Sequence, residues 1–163
     1  MVGYIFYDTE TTGLTAGFDQ ILQFAALVTD DDLNVVEEVD LRCRLQPHML
    51  PSPGALVITG ISPTDIAEAP LSHYEMVSAI RALIKRHSPT TLVGFNSLGY
   101  DEAMLRQAFY QTLNPVYLLP AVTIRVFLAA QNGGVAATKG REMAPWSVRW
   151  SSIRRADRRR QCG

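Results

Sequence analysis

Residues 4–14 read Tyr4-Ile5-Phe6-Tyr7-Asp8-Thr9-Glu10-Thr11-Thr12-Gly13-Leu14, an apolar run that delivers two carboxylates into a glycine turn. As a strand, this stretch sends alternate side chains to opposite faces, so Asp8 and Glu10 form a paired acidic edge while Thr9 points away. Paired carboxylates repel, and a divalent cation that takes oxygen ligands relieves the repulsion. An Asp-x-Glu alone fits equally well a strand that ends in solvated acids. The aromatic and aliphatic residues before the pair mark a buried strand, however, and Thr-Thr-Gly after it marks a tight turn where backbone can approach a ligand. The chemistry is therefore expected at Asp8 and Glu10.

On the C-terminal side of the turn, residues 20–29 are apolar at most positions and read as a central second strand. Asp30-Asp31-Asp32-Leu33-Asn34 is a turn, and its acids read as solvated turn formers rather than metal ligands. Residues 35–45 alternate loosely through Val36, Val39, Leu41, Cys43 and Leu45, which suits an antiparallel edge strand. Pro47, Pro51 and Pro53 make an extended connector, in which Ser52-Pro53 suits the cap of a short helix reaching Thr59, and Gly60-Ile61-Ser62-Pro63 restarts another. Residues 72–87 show helical spacing, with Tyr74, Val77, Ile80 and Ile84 on the apolar face and Met76 and Leu83 beside them. His48, His73 and His87 lack a second ligand at helical spacing and read as structural or solvated. Residues 91–95 form a short buried strand, followed after a loop by a helix over 101–112 whose inner face is Met104, Leu105, Ala108, Phe109 and Thr112. Strand, loop and helix in that order make a parallel crossover. Asp101 heads the helix, where a carboxylate suits the positive helix end or stands opposite Asp8 and Glu10.

At 163 residues the chain fits one domain with a real core. Hydrophobic residues make up 47% and charged residues 19%, with no apolar run of membrane-spanning length and no basic-then-apolar leader, so a soluble, cytoplasmic protein is the expectation. Cys43 and Cys162 have neither the number nor the spacing of a disulfide framework or zinc site. The net charge of −1 conceals an asymmetry: residues 1–119 carry 6 basic and 14 acidic side chains, residues 120–163 carry 9 basic and 2 acidic.

Asp8-Thr9-Glu10-Thr11-Thr12-Gly13-Leu14 resembles the first motif of the DEDD-type 3′-to-5′ exonucleases, the group that includes proofreading subunits, RNase T and exonuclease I. Gly94-Phe95-Asn96-Ser97-Leu98-Gly99-Tyr100-Asp101-Glu102, with Arg106, Phe109 and Tyr110, resembles the second. The step from Asn96 to Asp101, the following Arg-Gln-Ala-Phe-Tyr and the stretch over 51–61 are similar to the bacterial exonuclease I branch. The resemblance implies an RNase H-like α/β fold, a mixed sheet of three antiparallel strands followed by parallel strands, with helices on the faces. It implies metal-dependent 3′-to-5′ release of mononucleotides from single-stranded DNA. Asp8, Glu10 and Asp101 would be the catalytic, metal-holding residues for two Mg2+ ions, with Mn2+ as a substitute. Glu10, Thr11, Thr12, Leu14 and Asn96 would meet the substrate.

The resemblance covers about residues 4–119. Family members continue into a third motif, in which a histidine or tyrosine precedes a fourth carboxylate. After Tyr117 this chain has no histidine and no tyrosine, and its one aspartate there, Asp157, lies among arginines. The expectation is an exonuclease domain over 1–119 that is incomplete at its C-terminal end, so that either its stability suffers or a partner chain covers the truncated edge. Apart from 122–128, which suits a strand, residues 120–163 show no period and read as a basic, disordered tail. Two accounts of it stay open: out-of-frame or replaced sequence, or a basic arm in which Arg154, Arg155, Arg158, Arg159 and Arg160 contact phosphates and Trp146 and Trp150 stack on bases. Three functions accordingly remain: an impaired exonuclease, a non-catalytic nucleic-acid-binding module, and a nonfunctional remnant.

Overall fold

The strand read from residues 4–10 runs through the middle of a sheet. A computed structural model of the chain describes residues 3–95, 100–118 and 123–126. These belong to one unit, residues 1–128; a second, residues 129–163, lies outside the described residues, and with it the tail's tryptophans and arginine cluster. Strand β1 (Gly3–Thr11) pairs antiparallel with β2 (Ile21–Thr29), which pairs antiparallel with β3 (Val35–Arg42). On its other side β1 takes β4 (Thr90–Phe95) in parallel, and β4 takes β5 (Thr123–Val126) in parallel, giving the order β3-β2-β1-β4-β5. Helices α1 (Pro53–Thr59), α2 (Pro63–Ala67) and α3 (His73–Arg86) lie between β3 and β4 in sequence, and α4 (Asp101–Gln111) between β4 and β5. This is the RNase H-like arrangement, and the sheet continues past residue 120 into β5.

Alternation decides which residues meet. Ile5 and Tyr7 of β1 and Phe24, Ala26 and Val28 of β2 face one side of the sheet. There they pack with Met76, Val77, Ile80, Leu83 and Ile84 of α3 and Met104, Leu105, Ala108 and Phe109 of α4. Both long helices thus cover the same face. The opposite side of β1 carries Tyr4, Phe6, Asp8 and Glu10, all half-buried. Each fully buried aliphatic or aromatic side chain contributes roughly 1.5–3 kcal/mol. A smaller cluster of Leu22, Ile61 and Ile66 seats α2 and the connector.

Local sequence sets the helix starts. Ser52, Ser62 and Ser72 each stand in extended backbone as N-caps, and the latter two close capping boxes with Asp65 and Glu75. In the β2–β3 turn Asp30 is the organising acid: its carboxylate accepts the N–H groups of Asp32 and Asn34. Strand β3 stops earlier than the alternation suggested, and Cys43 instead forms an isolated bridge with Leu71.

One position on α3 differs from the sequence reading. Tyr74 is 62% exposed, and His73 takes the buried place at that end of the helix, 4% exposed. Its Nδ1 lies 2.6 Å from Gln46 Nε2, so the ring accepts there. That hydrogen bond satisfies one ring nitrogen of the buried, neutral imidazole, while Nε2 is buried without a partner among the described residues; the neighbouring Tyr74 is exposed. His87 bonds Glu37 at 2.7 Å, and His48 is exposed. Among the described residues no helix is long and apolar enough to cross a membrane.

Two outcomes are expected. Phe109→Ala should cost about 3–5 kcal/mol in urea unfolding, whereas Tyr110→Ala, on the outer side of the same helix, should change stability by less than about 1 kcal/mol. Burial lowers the His73 pKa to about 4 from 6.5. The unfolded chain therefore binds the proton more readily, and the stability this neutral ring contributes is full above pH 6.5 and lost as pH falls toward 4. His73→Leu should flatten the dependence of the urea midpoint on pH between 6.5 and 5; an unchanged slope would show that the ring does not carry it.

Candidate active site

The site forms where β1 leaves the sheet. Register shifts between Glu10 and Thr11, and the chain turns over residues 12–20 before β2. Asp19, which the sequence reading passed over, is the hub of this turn. Its carboxylate accepts the Thr12 hydroxyl and the Thr15 N–H, both at 2.8 Å. The Thr12 hydroxyl in turn accepts the Gln20 N–H at 2.9 Å, and the Thr12 carbonyl accepts the Ser52 N–H at 2.8 Å, which ties the cap of α1 to the turn. Gly13 is required by space: a Cβ there would come within 2.5–2.7 Å of the Asp19 carboxylate atoms, whose oxygens are already held.

Thr11 and Thr12 are both buried, with their hydroxyls occupied inside the turn. The large side chains the turn offers to solvent are apolar, with Leu14 85% and Phe18 81% exposed. Two more exposed apolar residues, Val57 and Ile58, stand on α1, whose N-cap Ser52 is tied to the turn. Asn96 lies outside the described residues.

Asp101 opens α4 and is 8% exposed. Thr9, the residue between Asp8 and Glu10, donates its Oγ1 hydroxyl to Asp101 Oδ1 at 2.5 Å. The bond ties the start of α4 to β1 at the residue between Asp8 and Glu10. Burial raises the Asp101 pKa; the Thr9 hydrogen bond opposes this and the nearby charge of Asp8 adds to it. Tyr100, just before, feels Asp19, Asp101 and Glu10 together. Three acids from two segments thus share one field at the end of β1.

The donor chemistry fits a hard divalent cation, because every side chain is a carboxylate and Asp101 is desolvated beside a like charge. Among the described residues no three His, Cys, Asp or Glu side chains stand close enough to form a ready cage. His87 lies away from the acids: it precedes β4, whose first residue pairs with the start of β1, at the far end of the strand from Glu10. Cys43 is buried, its thiol pushed up to about 11 by burial.

The family model for RNase T-type exonucleases, described as Exonuclease, matches residues 5–124. Exodeoxyribonuclease I of Haemophilus influenzae is 33% identical over 115 residues, covering 70% of this chain and 24% of that protein. Among solved structures, Escherichia coli exonuclease I in complex with a dT13 oligonucleotide aligns at a TM-score of 0.68 and 30% identity, covering 72% of this chain and 25% of that one. The zinc-ion-bound form of the E. coli enzyme with single-stranded DNA aligns at 0.73 and 28% identity, covering 77% and 28%. The chain spans about a quarter of the length of the exodeoxyribonucleases it matches.

A carboxyl with a raised pKa holds its proton more tightly in the folded chain, so its contribution turns unfavourable as pH rises from 3.8 through the raised value. Asp101→Asn keeps an oxygen for the Thr9 hydroxyl and removes the charge. In chelator it should raise the urea midpoint at pH 7, with the gain shrinking as pH is lowered toward 4. A midpoint at pH 7 equal to or below that of the parent would contradict this electrostatic picture.

Proposed function

The chain belongs to the DEDD-type exonuclease family, related to bacterial exonuclease I, and from that premise we propose that it is a metal-dependent 3′-to-5′ exonuclease acting on single-stranded DNA. The observation that carries this reading is the tether between Thr9 and Asp101, which brings the second-motif carboxylate to the strand bearing Asp8 and Glu10. Asp8, Glu10 and Asp101 would hold Mg2+, or Mn2+ in its place. Bound there, a divalent ion supplies positive charge at the scissile phosphodiester. The three carboxylates orient it and hold its charge at the end of β1. Leu14, presented by the Asp19-centred turn, offers an apolar surface to the terminal nucleotide, and Glu10 and the backbone of Thr11 and Thr12 flank it. Asn96 belongs to the same set by its place in the second motif. Phe18, exposed on the same turn, is a further apolar surface on which a base could stack. A cytoplasmic location agrees with this substrate.

Residues 120–163 contain neither histidine nor tyrosine, so these 163 residues supply three of the family's four carboxylates and none of its water-activating groups. Loss of one member of a catalytic unit costs roughly 10³–10⁶ in rate. Slow turnover is the expectation for the isolated chain. That same composition, with its net charge of +7 from 9 basic and 2 acidic residues, favours a second reading, a single-strand-binding module without catalysis.

The test is release of mononucleotides from a 3′-labelled single-stranded oligodeoxynucleotide, with magnesium and with chelator. Magnesium-dependent release that falls at least about 100-fold in Asp8→Ala supports the nuclease reading. Binding that needs no metal and weakens steeply with salt, without release, supports the module instead.

A further inference from the structure

Tyr100 directly precedes Asp101, and its ring packs against the main core. A phenylalanine would fill that space as well, so the hydroxyl calls for its own account. It lies 2.5 Å from Thr11 Oγ1 and also hydrogen-bonds the Gly13 carbonyl, to which Thr11 Oγ1 donates at 2.8 Å. Two hydroxyls bring two protons to three contacts. Whichever two of the three bonds carry the protons, the groups act as one relay in which the Gly13 carbonyl is an acceptor.

We infer that Tyr100 is a positioning residue whose hydroxyl latches the turn bearing Leu14 to the helix end bearing Asp101. Its functional part rests on the nuclease reading; the latch itself rests on the geometry. Two tethers then index α4 against β1: Thr9 holds the carboxylate, and Tyr100 holds the turn. They have separable effects. With the hydroxyl removed, Asp101 stays bonded to Thr9 while the turn is released, so placement of the terminal nucleotide suffers and the metal-holding carboxylates do not.

The test uses the full chain with Tyr100→Phe and Thr11→Val. Amide hydrogen exchange over residues 11–20 should quicken about fivefold in Tyr100→Phe, the factor one neutral hydrogen bond carries, with α3 unchanged. Thr11→Val should reproduce this, and the double variant should be no worse than either single one, since both break one relay. Unchanged exchange in Tyr100→Phe, or additive effects in the double variant, would overturn the latch. In the magnesium assay, KM for the oligodeoxynucleotide should rise about fivefold with kcat within about twofold; a fall in kcat at constant KM would overturn the positioning role. If the parent chain releases no nucleotide, the nuclease reading fails, and the exchange measurement still decides the latch.

Discussion

A β-strand shows successive side chains to opposite faces, and in β1 this constraint divides the work of one segment between two environments. Ile5 and Tyr7 anchor the core beneath α3 and α4. Asp8 and Glu10, one residue out of phase, are left half-buried on the other side. Thr9 belongs to the core-facing set, and its hydroxyl reaches the first residue of α4. A slip of one residue in the β1–β4 register would exchange these roles: the acids would turn into the core and the threonine away from it. The site thus depends on a register that the packing of Ile5 and Tyr7 enforces.

Charge explains why the site is built with hydroxyls. Asp101 is buried near Asp8 and pairs with no cation among the described residues, so its ionised form is disfavoured there. A lysine or arginine would neutralise it and leave nothing to attract a divalent ion. A threonine hydroxyl instead satisfies one carboxylate oxygen while leaving the negative charge in place. Neutral donors likewise surround Asp19, with a hydroxyl and a backbone N–H fixing the turn without a cation. The end of β1 is orderly and remains acidic.

Much of this was legible in the residues. Alternation, turn residues and the run from β4 into α4 marked the three antiparallel strands and the parallel crossover, because each is a local pattern with a short period. The buried face of α3 was read correctly at Met76, Val77, Ile80, Leu83 and Ile84, but the period could not separate Tyr74 from His73 at the helix edge, where the partner Gln46 lies 27 positions away. Asp19 carried no period at all and gave no signal, since its importance comes from the close approach of Gly13. That Thr9 points away from the acidic pair followed from alternation. The Thr9–Asp101 bond did not, because it requires knowing where α4 begins relative to β1.

The Thr9–Asp101 bond spans 92 positions of sequence. Contacts of such separation form only after the intervening chain has closed its loop, an entropic cost met late in folding. The hairpin of β1 and β2 can assemble early from neighbouring residues and will display Asp8 and Glu10. The third carboxylate joins them only when β4 has docked in parallel and α4 has seated on the core. A nascent or partly unfolded chain therefore carries two of the acids without the third, and assembly of the acidic centre reports that the domain has finished folding.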